Sequence, residues 1–366
     1  MPAPRGRPFS VRPARLAAPV TALVLVVLVM LVMLDTTPAG TAAVCPDPFA
    51  FLGPTITLGA RDRSRLEAGA ALVRILPGEG KEIAVLSAVA VDFDADRLAA
   101  WMRRIEDLKK SDHVPAVGRF STPPILEDVA THVLEDKDLD RLRNCRPGRC
   151  DLKLTADEIA RLPAEWPRDE ARWKADAQVI FRRLVLDRIV SYRASGHAAI
   201  GTYADGHTDT PLPDIARRLL ERSPYLVAGV PSLVDYYTNY PSAILPGAES
   251  FVYWSTDRFG GRPVTSATHM VLLRPVGPEM PALIVAGKQI FATHYQNGSL
   301  SLTLLLRGCD GSRNYLVYVS RSEVDVIRGM MGWLARRIIQ GRVEDEAAEV
   351  LRALRDRLSQ PPGRAK

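Results

Sequence analysis

Four residues in the C-terminal third have side chains that could bind a ligand or transfer a proton. Lys288 and His294 stand at the same parity of one apolar run, which predicts that they share a sheet face. Tyr295 follows His294, and His269 lies in the preceding run, near enough to approach His294 across a sheet. If this face lines a pocket, these groups would bind the polar end of a ligand or supply a base. In the alternative, each forms an ordinary hydrogen bond at a strand end.

Two further groups of charged residues are candidates for a site. Asp205, His207 and Asp209 alternate in a loop, where they would offer ligands to a cation or a base to a hydrolase. Asp and Gly also form plain turns, which is the simpler interpretation. Arg321 and Asp325 lie at a predicted strand-to-helix junction, where they would pair with each other or face an anionic ligand. The sequence predicts no metal and no cofactor.

Cys145 and Cys150 enclose the segment Arg-Pro-Gly-Arg. Its Pro-Gly step favours a tight reversal, which predicts a disulfide between the two cysteines. Zinc would require a second Cys or His pair at similar spacing, and haem attachment would require His in place of Asp151. Reduced thiols are the remaining alternative. Cys45 and Cys309 complete an even number of cysteines, as is common in exported proteins, and the sequence leaves their pairing open.

The elements that position these residues are five β-type runs rich in Val, Ile, Thr, Tyr and Leu: 251–259, 265–274, 282–296, 299–307 and 314–321. Asn297-Gly298, between two runs, is the strongest hairpin signal. Leucines at 300, 302, 304 and 306 alternate with Ser299, Ser301 and Thr303, which predicts that one face of this strand is core. The run 282–296 is apolar at both parities, so it is predicted to be covered on both faces.

The fold class follows from this order of elements. The runs predict a C-terminal antiparallel β-meander closed by an amphipathic C-terminal helix over residues 324–340, preceded by a helical middle segment. A strand over 81–92 lies between helices over 61–76 and 94–110. The class is therefore α+β, with an α/β part over 44–154, a helical segment over 155–245, and sheet plus C-terminal helices over 246–360. Residues 44–360 would form one domain or more.

The N-terminus has the pattern of an export signal. Four arginines precede the apolar run 20–34, and small residues follow it up to Ala43. Cleavage near residue 43 and an uncleaved inner-membrane anchor through residues 16–34 both place the remainder outside the cytoplasm, in the periplasm or beyond. Residues 1–43 supply +3 of the net charge of +6, so the rest of the chain has no basic excess that would indicate nucleic acid binding.

The element order over residues 61–110 and 250–340 resembles the helix-grip architecture of START-like proteins. In that superfamily a curved sheet wraps the C-terminal helix, and a pocket for an apolar ligand lies between them. The resemblance implies that residues 155–245 are an insertion. It implies a pocket beneath the C-terminal helix, with residues 284–294 as part of its lining.

The expected function is therefore binding of an apolar or amphipathic small molecule by an exported bacterial protein, without catalysis. The candidate ligand-binding residues are Lys288, His294, Tyr295, His269 and Arg321. The sequence contains no nucleophile elbow, phosphate loop or dinucleotide fingerprint. One alternative is a hydrolase that uses His294 or the Asp205/His207/Asp209 loop, and another is a structural protein of the cell envelope.

Overall fold

One large antiparallel sheet organises the chain in the computed structural model, which describes residues 47–363 apart from 167–168, 259–261, 278, 309–312, 326 and 328–331. In the final helix, the side chains of 332–335, 338–339 and 342–346 are also outside the description. The predicted export signal at 1–43 and the cysteines Cys45 and Cys309 lie outside the described residues.

The large sheet has eight strands. They are β1 (Leu72–Leu76), β2 (Glu82–Val91), β3 (Ala116–Arg119), β6 (Glu249–Asp257), β7 (Val264–Leu273), β8 (Leu283–Ala292), β9 (Gln296–Arg307) and β10 (Asn314–Val324). Their order across the sheet is β1-β2-β10-β9-β8-β7-β6-β3, and all neighbours are antiparallel. A separate two-stranded ribbon pairs β4 (Thr202–Tyr203) with β5 (Thr210–Pro211). The predicted C-terminal meander is confirmed, and β2 adds to it beside the last strand.

Ten α-helices are described. They are α1 (Ala60–Glu67), α2 (Ala95–Arg103), α3 (Ile105–Lys109), α4 (Asp136–Leu142), α5 (Ala156–Glu165), α6 (Trp173–Ser195), α7 (Leu212–Glu221), α8 (Pro224–Gly229), α9 (Pro231–Thr238) and α10 (Gly332–Leu358). Local sequence explains several starts. The Asp94 carboxylate accepts a hydrogen bond from the N–H of Arg97 at the start of α2, and Thr155 with Glu158 forms a capping box at α5.

Helices cover both faces of the sheet. One face, which we call the α7 face, carries Ile284, Ala286 and the alternating leucines of β9, and it packs against α1, α7, α8 and α9. Near β6 and β7 the same face packs against α6. The opposite face, which we call the α10 face, carries Leu283, Val285 and Leu305 and packs against α2, α3 and the end of α10. The helical middle segment and the C-terminal helix therefore lie on opposite sides of the sheet.

Three predicted boundaries are wrong. The hairpin between β8 and β9 turns at residues 293–295, and Asn297-Gly298 lies within β9. The helix predicted over 61–76 ends at Glu67 as α1, because residues 72–76 pair with β2 instead. The final helix begins at Gly332 and not at residue 324, since Val324 still belongs to β10.

Two smaller features complete the fold. Cys145 and Cys150 form a disulfide in the structure, as their spacing predicts. None of the described helices combines the length and the apolar character that are needed to cross a membrane.

Candidate functional site

Lys288 and His269 are brought together at the centre of the sheet. They are Cα partners on β8 and β7 and are both buried on the α7 face. The hydroxyl of Tyr192 lies 2.8 Å from Nδ1 of His269. The ammonium of Lys288 donates a hydrogen bond to the carbonyl of Tyr237 and lies 5.1 Å from the centre of its ring. The sheet thus pairs two of the predicted site residues and encloses them with tyrosines.

Burial controls the protonation of this pair. Desolvation lowers the pKa of Lys288 to about 7. Desolvation, and then the charge of Lys288, lowers the pKa of His269 to about 3. An amine that loses its proton near neutral pH has the chemistry of a base or a nucleophile. However, Lys288 is 3% exposed and His269 is 1% exposed, so the pair lies in the interior of the described structure.

A small cavity lies beside Lys288, where β8 and β9 separate. The ladder between the two strands ends at Lys288 and Leu300. The cavity beyond has a volume of about 10 Å³, which is room for about one water molecule. The cavity lies on the α7 face, where His197, Leu212 and Leu219 border it together with Lys288. Nδ1 of His197 and Oε1 of Gln289 are buried without a hydrogen-bond partner among the described residues.

His294 belongs to a different cluster. Its Nε2 lies 3.4 Å from Oδ1 of buried Asp138, and its Nδ1 lies 3.0 Å from Oγ1 of Thr293. The order hydroxyl, imidazole, carboxylate resembles a hydrolytic relay. However, Thr293 Oγ1 also accepts the backbone N–H of Thr265 at 3.0 Å, and the side chain of His294 is 2% exposed. The arrangement therefore supports a structural role in the turn.

The expectation that His294 shares a sheet face with Lys288 and approaches His269 is wrong. The strand ends at Ala292, so parity no longer applies to His294. His269 instead pairs with Lys288. Tyr295 adopts the left-handed conformation, with φ of 57°, and its carbonyl accepts the N–H of Asp325 at 2.7 Å. Residues 293–295 are thus a turn that is tied to the end of β10.

Arg321 forms a third cluster on the α7 face. Its guanidinium contacts the buried carboxylate of Glu82 at 2.6 Å, and Arg222 contacts the same carboxylate at 2.8 Å. The predicted pairing of Arg321 with Asp325 is wrong. Arg321 faces β2, whereas the Asp325 carboxylate pairs with Lys153. Arg321 is therefore occupied by a structural ion pair.

Lys153 contacts the loop that contains Asp205. Its ammonium is 2% exposed and contacts Asp325, Oδ1 of Asn297 at 2.6 Å and Oδ2 of Asp205 at 3.5 Å. Desolvation raises the pKa of Asp205, and the charge of Lys153 opposes this. His207 and Asp209 are exposed. No three His, Cys, Asp or Glu side chains are placed to hold a metal within the part of the chain that the structure describes.

The α10 face carries a group of hydroxyl side chains that the sequence analysis did not select. They lie side by side in the middle of the sheet and remain partly accessible to solvent. We call this group the hydroxyl recess, and it consists of Thr268, Ser299, Ser301, Thr303, Tyr318, Ser320 and Ser322. Tyr318 is 37% exposed although its strand has neighbours on both sides. The described helices therefore leave part of the Tyr318 side chain uncovered.

Small residues form the floor of the hydroxyl recess. Ser320, Ser301 and Gly287 are consecutive Cα partners across β10, β9 and β8. A Cβ at Gly287 would lie 2.7 Å from Oγ of Ser301, so glycine lets the serine fold over the strand. Ser299 and Ser322 also bond to each other through their hydroxyls at 2.8 Å. The side chains on the floor of the recess are therefore small, but several of them carry a hydrogen-bonding hydroxyl.

Lys109 of α3 lies over the α10 face, and its charge reaches the hydroxyl recess. Tyr318 on β10 and Tyr253 on β6 are four strand spacings apart, about 19 Å on a flat sheet. Burial raises the pKa of Tyr318, its hydrogen bond with Ser320 lowers it, and the charges of Lys109 and Asp257 also act on it. Lys109 at the end of α3 lies 5.3 Å from the ring centre of Tyr253. One ammonium therefore acts on tyrosines of both β10 and β6 on the α10 face.

Part of the hydroxyl recess was visible in the sequence pattern. The alternation of Ser299, Ser301 and Thr303 with leucines was visible, but it predicted only a strand with one core face. The sequence did not reveal that these hydroxyls lie on a face of the sheet that helices also cover.

The chain was compared with protein-family models, with curated proteins and with solved structures, and none of them matches it.

Proposed function

We propose that the protein binds an amphipathic small molecule in the hydroxyl recess, between the sheet and the helices on its α10 face, without catalysis. The observation that supports this most strongly is the partial exposure of hydroxyl side chains at the centre of an eight-stranded sheet. Polar side chains at such a position lose hydration unless water or a ligand satisfies them. Small-molecule sites also usually combine apolar surroundings with a few polar groups, and such a combination is present here.

The surroundings of the recess favour a ligand with an apolar part. Met270, Leu272, Val285 and Leu316 lie on the same face as the recess and pack with Trp101 of α2. On the side of β2, Ile83 and Val85 pack with Ile327 ahead of α10. A molecule in the recess would therefore contact hydroxyls and would be bordered by packed apolar side chains at either end.

The proposed ligand contacts differ from those that the sequence suggested. Lys288, His269, His294 and Arg321 are occupied in buried clusters away from the hydroxyl recess. The strand residues Ile284 and Ala286 face α7 and α9, so the expectation that this side of β8 lies beneath the C-terminal helix is wrong. Binding beneath α10 is retained, but on the opposite face of the sheet. A hydrolytic role for His294 would require solvent to reach a side chain that is 2% exposed.

The place of action is part of the same proposal. An export signal or anchor at residues 1–43 would deliver the folded part to the periplasm or beyond, where amphipathic molecules of the envelope occur. The disulfide between Cys145 and Cys150 is compatible with an oxidising compartment.

Filling the hydroxyl recess tests the proposal. In Ser301→Trp, the indole would occupy the space above Gly287, and Ser320→Trp would fill it from the neighbouring strand. Ser232→Trp on the exposed side of α9 is the matched control. Binding of octyl glucoside, a neutral amphipath, is measured by calorimetry below its micelle-forming concentration, and folding is followed by circular dichroism.

We expect both recess variants to lose binding while they stay folded, and the control to bind as the wild type does. Overpacking a filled core typically costs about 1–3 kcal/mol. If both recess variants are destabilised to that extent and octyl glucoside never binds the wild type, the recess is packed and the proposal is overturned.

A further inference from the structure

We propose that the polar end of the ligand is uncharged and bears hydroxyl or N–H donors, one of which bonds to Oε1 of Gln289. This inference rests on the proposed function, because it names the class of molecule that the hydroxyl recess would take. Three independent observations carry it.

The first observation is an acceptor without a donor. Gln289 is 6% exposed, and its Oε1 has no hydrogen-bond partner among the described residues. Its Nε2 donates to Oε1 of Gln296 at 2.9 Å, so the side chain is held in place. A buried carbonyl oxygen without a partner has lost its hydration without a compensating hydrogen bond, which costs free energy. A ligand donor at this position would remove that cost on binding.

The second observation is the place of this acceptor. Gln289 has the strand parity of Val285 and Gly287, which puts it on the α10 face, next to Thr268 of the hydroxyl recess. Thr268 is the direct Cα partner of Gln289 across β7 and β8, and it is itself partly accessible. The unpartnered oxygen thus lies at the edge of the proposed binding surface.

The third observation is the balance of charge. On the α10 face, where its charge also acts on Tyr318 of the recess, the ammonium of Lys109 lies 3.6 Å from the carboxylate of Asp257 and 3.0 Å from Oγ of Ser255. An anionic ligand would have to compete with Asp257 for this cation, and a cationic ligand would have to compete with Lys109 for the carboxylate. Desolvating a charge without a partner is costly. The pairing therefore disfavours both kinds of ligand.

Hydroxyl groups complete the argument for an uncharged ligand. Each Ser, Thr or Tyr hydroxyl of the recess both donates and accepts. A sugar-like or amide-like head group presents the same mixture, whereas a sulfate only accepts and a quaternary ammonium does neither. Specificity of this kind arises because the wrong ligand leaves buried polar groups unpaired.

A series of amphipaths with one chain and three heads tests this inference. Octyl glucoside, octyl sulfate and octyltrimethylammonium are titrated into the purified protein by calorimetry, each below its micelle-forming concentration. We expect octyl glucoside to bind at least about 10-fold more tightly than either charged probe, equivalent to about 1.4 kcal/mol. Equal or tighter binding of octyl sulfate or octyltrimethylammonium overturns the inference and leaves the proposed function standing. Failure of all three probes to bind overturns both.

Two substitutions distinguish the loss of the Gln289 acceptor from the loss of its hydrogen bond to Gln296. Gln289→Met removes the unpartnered oxygen, and it also removes the hydrogen bond to Gln296. Gln296→Met removes the same hydrogen bond but keeps Oε1 of Gln289. We expect octyl glucoside to bind Gln289→Met roughly 3- to 10-fold more weakly, the size of one hydrogen bond, and to bind Gln296→Met within about 2-fold of wild type. Equal affinity in both variants, or equal losses, contradicts a bond to Gln289.

A charge substitution tests whether the pairing of Lys109 with Asp257 disfavours anionic ligands. Asp257→Asn leaves Lys109 without its carboxylate partner, so octyl sulfate should gain at least about 5-fold in affinity, as expected for a new partly buried ion pair. Asp214→Asn on α7 changes the net charge by the same amount but lies on the opposite face, and it should have no effect. If Asp257→Asn does not strengthen octyl sulfate binding, the balanced charge does not set the selectivity.

Discussion

His269 and Lys288 are Cα partners on two central strands, and each is bonded to a tyrosine, His269 to Tyr192 and Lys288 to the carbonyl of Tyr237. Both would carry a proton more readily in water than they do here, because burial disfavours the charged form of each. The pair therefore makes the stability of the fold depend on pH in two separate ranges.

Lys288 should make the protein more stable as the pH rises from 7 to 10. Its pKa is about 7 in the folded protein and 10.5 in the unfolded chain, so the unfolded chain binds more protons between these values. Relative to Lys288→Met, the wild type should gain up to about 1.4 kcal/mol per pH unit in this range. Urea unfolding at pH 7, 8.5 and 10 measures this. A difference between the two proteins that stays constant with pH contradicts it, and Lys174→Met on the exposed side of α6 serves as the control.

His269 should make the protein less stable in acid. Its pKa is about 3 when folded and 6.5 when unfolded, so the unfolded chain takes up the proton first and stability falls as the pH drops through this range. The stability advantage of wild type over His269→Asn should therefore shrink between pH 6.5 and pH 4. Chemical unfolding at these two pH values checks it, with His207→Asn at an exposed position as the matched change. If the difference in stability between wild type and His269→Asn widens in acid, the hypothesis that His269 is buried in its neutral form is wrong.

Gly298 should not tolerate a side chain. A Cβ at this position of β9 would lie 2.7 Å from Cγ2 of Ile215 on α7. Gly298→Ala should therefore cost about 1–3 kcal/mol in the free energy of unfolding, as overpacking does. Gly341→Ala in α10 meets no atom within 4 Å and should instead stabilise the helix by about 0.5–1 kcal/mol. Equal effects of the two changes, by thermal unfolding, would rule out the close approach of α7.

Lys153 should be essential for stability. It is buried between Asp325 and Asp205 and also bonds Asn297. Lys153→Met would remove the buried cation from both carboxylates and leave Asp325 with only the more distant Lys81, at 3.8 Å, so we expect a cost of about 3–5 kcal/mol. Lys174→Met breaks an exposed pair with Asp136 and should cost less than about 1 kcal/mol. Similar losses for the two variants in denaturant unfolding would mean that the buried network is unimportant.

The residues of β9 show why some features could be predicted and others could not. The leucines at alternate positions specify a strand with one core face, and that face is buried as predicted. The same holds for the order of the meander, because consecutive strands joined by short turns pair as neighbours.

Asn297-Gly298 shows the limit of local signals. The dipeptide predicts a turn because both residues tolerate positive φ. In the structure, the missing side chain at Gly298 lets Ile215 pack closely against the strand, and Asn297 accepts a hydrogen bond from Lys153. Both partners are distant in sequence. The hydroxyl recess was missed for a similar reason. Serines on one side of a strand predict exposure to water, and only the packing of α2 and α10 shows that this side is enclosed.

A molecule retained in the hydroxyl recess would be the most direct evidence for the account. Native mass spectrometry is applied to wild type and to Ser301→Trp, both purified under mild conditions from the cells that naturally produce the protein. The account predicts that wild type carries an additional mass of a small uncharged amphipath, that the mass is released by octyl glucoside, and that Ser301→Trp lacks it. An additional mass that persists in folded Ser301→Trp, or a wild type without any additional mass that also fails to bind octyl glucoside, would contradict the account.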